Sequence, residues 1–247
     1  MWETFMSALA IQSGIQVFED LPGFPPAPLC PFKAMVKVDN TVFVSGSISF
    51  KPGIPPDHLP FAEQIANIFN NIEKCFERID PSLKLCHITN LYVIHRLTVS
   101  SDSIATEIAS RIDPVFPLSI QYVLSTQFPH PVDIQVAVKA QIPTGDLDLL
   151  QPKRSLVSKR MKSDKTELVD VVRDLFITQI GRANLWRMVN VCLFISAKYD
   201  YHQINSAIES VFNEVGFTRD KRNFARSIVY CTPAYTPLSL DTEMVGD

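Results

Sequence analysis

Arg226, within Phe224-Ala225-Arg226-Ser227, and the acids Asp241 and Glu243 further along are the side chains whose types could together handle a small charged molecule. An arginine guanidinium is a planar, permanently charged fork that matches a carboxylate, a fit that lysine lacks. A carboxylate can hold a water molecule and draw off its proton. If Asp241 and Glu243 lie on one strand, their spacing of two turns both to the same face. The competing reading is a plain salt bridge on the exposed face of a sheet. Other candidates are thinner. His87 and His95 bracket a strand with no evident acid partner, and Arg182, Arg187, Lys221 and Arg222 read better as solvated charge than as a phosphate site. The cysteines (Cys30, Cys75, Cys86, Cys192, Cys231) never form CxxC, and the histidines lack zinc-ligand spacing. No metal site and no cofactor are expected.

These residues must be positioned by regular elements. Met188 to Ser196 is a buried apolar run that predicts a strand, and Gln203 to Val215 has helical periodicity. Ser227 to Cys231 and Leu238 to Met244 read as the strands carrying the arginine's neighbourhood and the two acids. Glu167 to Ile180 is helical in pattern. The same order, helix, strand, helix, strand, strand, occurs upstream. Phe61 to Ile79 places Ile65, Ile68, Phe69, Ile72, Cys75, Phe76 and Ile79 on one helical face. Leu91 to Val99 reads as a strand, Ser103 to Ile112 as a helix, and Ser119 to Ser125 and Val132 to Gln141 as strands. An order that recurs is an internal repeat. The first copy also has an opening hairpin over Ala34 to Phe50, turned at Asp39-Asn40, whose side chains bond their own backbone. The second copy has no such hairpin.

Composition bounds the rest. A 247-residue chain with 46% hydrophobic and 20% charged residues has the make-up of a globular protein of one large or two small domains. A net charge of -3 argues against a nucleic-acid partner. The N-terminus lacks a signal pattern and no apolar run approaches the ~20 residues of a bilayer span, so no membrane association and a cytoplasmic location are expected. Pro22 to Pro31 and Pro52 to Pro60 are proline-rich and read as loops. Asp146 to Thr166 carries Lys153, Arg154, Lys159, Arg160, Lys162 and Lys165 among few large apolar residues. It reads as a solvated linker rather than an RNA-binding patch. The expected plan is an N-terminal extension over 1–27, a first domain over 28–145, a basic linker over 146–166 and a second domain over 167–247.

Several segments resemble the Rid family (reactive intermediate deaminases, also called YjgF or L-PSP endoribonuclease-like). Cys30-Pro31-Phe32-Lys33-Ala34 and Val44-Ser45-Gly46-Ser47-Ile48 are similar to its Gly-Pro-Tyr-Ser-Gln and Val-Ser-Gly-Gln-Ile. Glu63-Gln64 followed by Asn67 to Asn71 is similar to its helix opening. Val132-Asp133-Ile134-Gln135 is similar to its Val-Glu-Ile-Glu strand. In the second copy, Phe224-Ala225-Arg226-Ser227 resembles Pro-Ala-Arg-Ser, Ile204-Asn205-Ser206-Ala207 resembles a helix element, and Leu240-Asp241-Thr242-Glu243 takes the place of Val-Glu-Ile-Glu. The resemblance implies an α+β fold of two Rid-like, chorismate-mutase-like domains. Each would be a mixed sheet covered by two helices, the second lacking its hairpin. The family's trimers, with clefts between subunits, imply a homo-oligomer.

The resemblance also implies roles. Family deaminases hydrolyse 2-imino or 2-enamino acids to 2-keto acids and ammonia. Arg226 would clamp the substrate carboxylate, Asp241 would position the water and Glu243 would assist, with Asn205 and Ser227 as ligand contacts. Asp241 is one methylene shorter than the family's glutamate. In the first copy Asp133 keeps an acid, but the arginine position falls on Leu118 and the tyrosine position on Phe32. That copy should not hold the substrate. Tandem Rid domains of this kind resemble the C-terminal region of eukaryotic diphthine–ammonia ligases, in which a separate ATP-pyrophosphatase domain with Ser-Gly-Gly-Lys-Asp carries the chemistry. This chain has neither that loop nor GxxxxGK[ST]. The expected function is a binding and assembly module of that group, with a small carboxylate or imine as ligand and further copies of itself or a ligase domain as partner. An autonomous imine deaminase is the second reading, and an RNA-acting protein a distant third.

Overall fold

The structure is a computed structural model. It describes residues 15–18, 33–49, 59–128, 131–143, 156–196, 198–218, 222, 224–231 and 238–245. The proline-rich stretches before Lys33 and over 51–58, including Phe32, lie outside the described residues.

The fold is α+β, with helices on two mixed sheets. In the first half, β1 (Ile15–Phe18), β2 (Met35–Val38) and β3 (Thr41–Ser47) form an antiparallel edge. Asp39, at the turn between β2 and β3, has φ 51°, the left-handed backbone that an aspartate tolerates. Helix α1 (Phe61–Ile79), strand β4 (Ile88–His95), helix α2 (Ser101–Ala109) and strands β5 (Ser119–Leu124) and β6 (Ile134–Gln141) follow. The sheet order is β1-β2-β3-β6-β4-β5, with β4 and β5 parallel. The apolar face of α1 lies as its spacing requires, with Ile65, Ile68, Phe69, Ile72, Cys75 and Phe76 buried against Val42, Val44, Val93 and Val136. Burial pushes the Cys75 thiol up to about 12. Ser100 starts α2 by accepting a hydrogen bond from the Ser103 amide.

The second half contains β7 (Leu156–Lys162), helix α3 (Leu168–Arg173), β8 (Met188–Ser196), α4 (Tyr201–Glu214), β9 (Ala225–Cys231) and β10 (Leu238–Val245). Helix α4 opens on a capping box between Asp200 and Gln203. Its sheet order is β7-β10-β8-β9, with β8 and β9 parallel. That order and sense repeat β3-β6-β4-β5 of the first sheet. Both sheets also carry a register shift at the same place, next to Asn90 in one and beside Glu243, opposite Asn190, in the other.

Three expectations need correction. Residues 156–162, read as part of a solvated linker, form β7 and pair with β10 along its whole length, Arg160 opposite Asp241 and Ser158 opposite Glu243. β7 therefore supplies one of the strands thought missing from the second half, while β1 and β2 have no counterpart among its described residues. Residues 15–18 of the expected extension form β1 against β2. The helix read over Glu167 to Ile180 is α-helical only to Arg173 and continues as a π-helix over Asp174–Gly181, ending at Gly181 with φ 90°. No described helix is long and apolar enough to cross a membrane.

The helices cover the outer faces and the two sheets meet on their inner ones. A small apolar patch of Val36, Val38, Phe43, Val189 and Ala225 joins them. Burying Phe43 contributes on the order of 1.5–3 kcal/mol. Lys139 reaches across from β6, its Nζ 2.8 Å from Glu243 Oε1 and 5.3 Å from the centre of the Phe43 ring.

Gly46 in β3 has a steric reason to be glycine. A Cβ there would fall 1.8 Å from Gln135 Nε2, the group that donates a 3.0 Å hydrogen bond to Gly46 O. Gly46→Ala should destabilise the chain by about 1–3 kcal/mol, measured by urea unfolding. The double variant Gly46→Ala/Gln135→Ala should cost less than the sum of the two single changes, because removing the glutamine side chain makes room for the methyl.

Candidate functional site

β8 lies between the strand of Arg226 and the strand of the acids, so strand register decides what can meet. Across β9, β8, β10 and β7 the rows are Arg226–Val191–Thr242–Lys159 and, one residue on, Ser227–Cys192–Asp241–Arg160. Ala225–Asn190–Glu243–Ser158 is the next row. Neighbouring rows face opposite sides of a sheet. Arg226 turns to the helix-covered side, while Asp241, Glu243 and Ser227 turn to the inner side. The expected pairing of Arg226 with Asp241 and Glu243 in one cleft is therefore not formed; a sheet's thickness separates them. The first half also changes the residue-by-residue comparison. Taking Asn90 as the counterpart of Asn190, Ile120 stands where Arg226 does and Ala137 where Asp241 does, rather than Leu118 and Asp133. Asp133 instead sits just before β6, bonded to the Gln64 side chain at 3.1 Å and 3.7 Å from Arg96 Nε.

Arg226 is 7% exposed. Its Nη1 donates to Asn205 Oδ1 at 2.6 Å and its Nη2 to the Tyr201 hydroxyl at 3.2 Å, with the guanidinium carbon 5.3 Å from the centre of the Tyr201 ring. Asn205 and Tyr201 lie on α4 one helical turn apart, so a single helix face fixes the plane of the fork. Asn205, expected as a ligand contact, is bonded to Arg226 itself, and Tyr201 joins it from the same face. The Arg226 backbone amide is held from the other half. It donates to Ser45 Oγ at 2.8 Å, and Ser45 Oγ donates to Lys33 O at 2.6 Å. Lys33 N donates to Phe224 O at 3.2 Å, joining β9 to the chain just before β2. At the far end, Tyr230 N donates to Ser125 Oγ at 3.0 Å and Thr126 N to Tyr230 O at 2.9 Å. Burial pushes the Tyr230 phenol up to about 12, against the opposing pull of the Arg226 charge.

On the inner side the acids have other partners. Arg160 grips Asp241 with two hydrogen bonds of 2.7 Å, from Nε to Oδ1 and Nη2 to Oδ2. The salt bridge on this sheet face is thus formed not by Arg226 but by an arginine from the stretch read as linker. Glu243 accepts from Lys139 at 2.8 Å and from Asn190 Nδ2 at 3.1 Å. Arg160, Asp241, Asn190 and Glu243, with Tyr92 of β4 and Ser158, line a cleft of about 330 Å3 between the sheets. Burial raises the Tyr92 phenol, and the Glu243, Cys192 and Asp241 charges raise it further. Among the described residues no cluster of histidine, cysteine, aspartate and glutamate could hold a metal ion.

No protein-family model matches the chain, and no curated protein matches it. Solved structures similar to it include YyfA of Yersinia pestis, described as a protein of unknown function of the conserved Rid protein family. It is 17% identical over 52% of this chain and 99% of that one, with a TM-score of 0.44. A putative endoribonuclease from Thermotoga maritima is 22% identical over 52% and 99%, with a TM-score of 0.43. RidA from the Antarctic bacterium Psychrobacter is 21% identical over 51% and 100%, with a TM-score of 0.42. Each is similar to about half of the chain.

The two acids should differ in their contribution to stability. Asp241 and Arg160 form an exposed pair, so Asp241→Asn should change unfolding free energy by less than about 1 kcal/mol. Glu243, 14% exposed and bonded to groups of both sheets, should cost about 1.5–3 kcal/mol as Glu243→Gln. Equal effects in urea titrations would contradict this order.

Proposed function

We propose that the chain is a Rid-like binding and assembly module, built from two successive copies of one α+β unit, that holds a small carboxylate at Arg226. The observation that carries this reading is the way β9 is held. Helix α4 of its own half fixes the guanidinium through Asn205 and Tyr201, and Ser45 of the other half fixes the backbone of the same residue. An arginine fixed at both its fork and its backbone loses little freedom on gripping a planar anion. The matching strand order of the two sheets supports the reading as two copies.

Hydrolysis of an imine would require a carboxylate on the same side as the arginine, to hold the attacking water. Asp241 and Glu243 face the other way and are engaged with Arg160, Lys139 and Asn190. This favours binding over autonomous deamination, the alternative reading. The relation to the C-terminal region of diphthine–ammonia ligases rests on the tandem motifs and their drift. A gene encoding a Ser-Gly-Gly-Lys-Asp domain next to this one, with co-purification of the two products, would support it; separate migration of the two would count against it.

The carboxylate site is tested by titrating the protein with 2-oxobutyrate. Saturable binding is expected, weakened about tenfold or more by Arg226→Ala, and enzymatically generated 2-iminobutyrate should disappear no faster than without protein. Turnover abolished by Arg226→Ala would establish the deaminase instead.

A further inference from the structure

The inner cleft presents a second arrangement of charge, independent of Arg226. Arg160 uses Nε and Nη2 on Asp241, and its Nη1 makes no hydrogen bond with the described residues. The side chain is 73% exposed, so that edge of the fork is accessible at the mouth of the cleft. Tyr92 stands on the opposite wall, half-buried, and its hydroxyl makes no hydrogen bond with the described residues. These are donors suited to an anion. Between them lie the carboxylates of Asp241 and Glu243. Each of their oxygens accepts one hydrogen bond here and can accept a second. A simple anion would meet these two negative charges, and a simple cation would meet Arg160, with Glu243 already engaged by Lys139. A molecule bearing both charges a few ångströms apart meets complementary groups at each end.

We propose that the cleft between the two sheets binds a small zwitterion of the α-amino-acid class, its carboxylate held by Arg160 and Tyr92 and its ammonium by Asp241 and Glu243. The volume of about 330 Å3 leaves room for a side chain beyond the two charged groups. The walls come from β4 of the first half and β7, β8 and β10 of the second, so the site exists only while the halves are joined.

Three probes of matched shape separate the charges. L-alanine carries both, propionate only the carboxylate and ethylammonium only the amine. Their binding to the whole chain is followed by the backbone amide resonances of Tyr92, Asn190 and Asp241. Alanine should give saturable shifts, with propionate and ethylammonium each about tenfold weaker or worse. Tyr92→Phe, which keeps the ring and its packing, and Arg160→Gln should each weaken alanine about fivefold or more. Saturating alanine should leave the affinity for 2-oxobutyrate unchanged, which separates this site from the 2-oxobutyrate site. The proposal is overturned if propionate binds as well as alanine, if neither cleft variant weakens alanine, or if no shift saturates by about 50 mM alanine.

Discussion

Strand β9 is at the edge of its sheet, and an edge strand leaves a row of backbone N–H and C=O groups without sheet partners. Here the first half supplies them. Lys33 donates to Phe224, Ser45 accepts from Arg226, Ser125 accepts from Tyr230 and Thr126 donates to Tyr230. Two are main-chain bonds and two use serine hydroxyls, so the seam is set by peptide geometry more than by apolar contact. Much else follows from it. It brings the inner faces together over a patch of only a few apolar side chains. It also puts Lys139 within reach of Glu243 and leaves the polar cleft beside them.

The second constraint is the two-residue period of a strand. Arg226 and Ser227 are adjacent in sequence, yet one reaches α4 and the other faces the first half. Likewise Thr242 turns toward the helices, while Asp241 and Glu243 on either side turn inward. A motif that preserves residue types and spacing along the chain does not by itself preserve which side of the sheet each residue meets. In this chain the cation and the acids end on opposite sides, and each acquires partners of its own.

This explains how the sequence could be read and where it could not. Helix α1 was legible because its apolar residues recur on one face, and β8 because it is a nearly continuous buried run bounded at Met188 and Ser196. The turn at Asp39 was legible because few residue types accept its backbone. β7 was not: of its central residues only Met161 is buried, while Ser158, Lys159 and Arg160 are exposed, and such an edge strand has the composition of a linker. The relation of Arg226 to Asp241 was not legible because it depends on where β9 and β10 begin against β8. The contribution of Ser45 was half-visible: its Val-Ser-Gly-Ser-Ile context stood out, but a bond to a strand far along the chain leaves no local pattern.

The same composition that hid β7 has a consequence for the molecule in a crowded solution. β7 is the outer strand of its sheet and carries Lys159, Arg160 and Lys162 along its length. A neighbouring molecule trying to add a strand there would have to bring its backbone against closely spaced basic side chains, which discourages intermolecular pairing. β5, the outer strand at the far side of the other sheet, has no charged residue in Ser119–Leu124, and Tyr122 and Leu124 stand exposed on it. Edge-to-edge pairing is therefore opposed unevenly, by lysine and arginine on β7 and by no charged residue on β5.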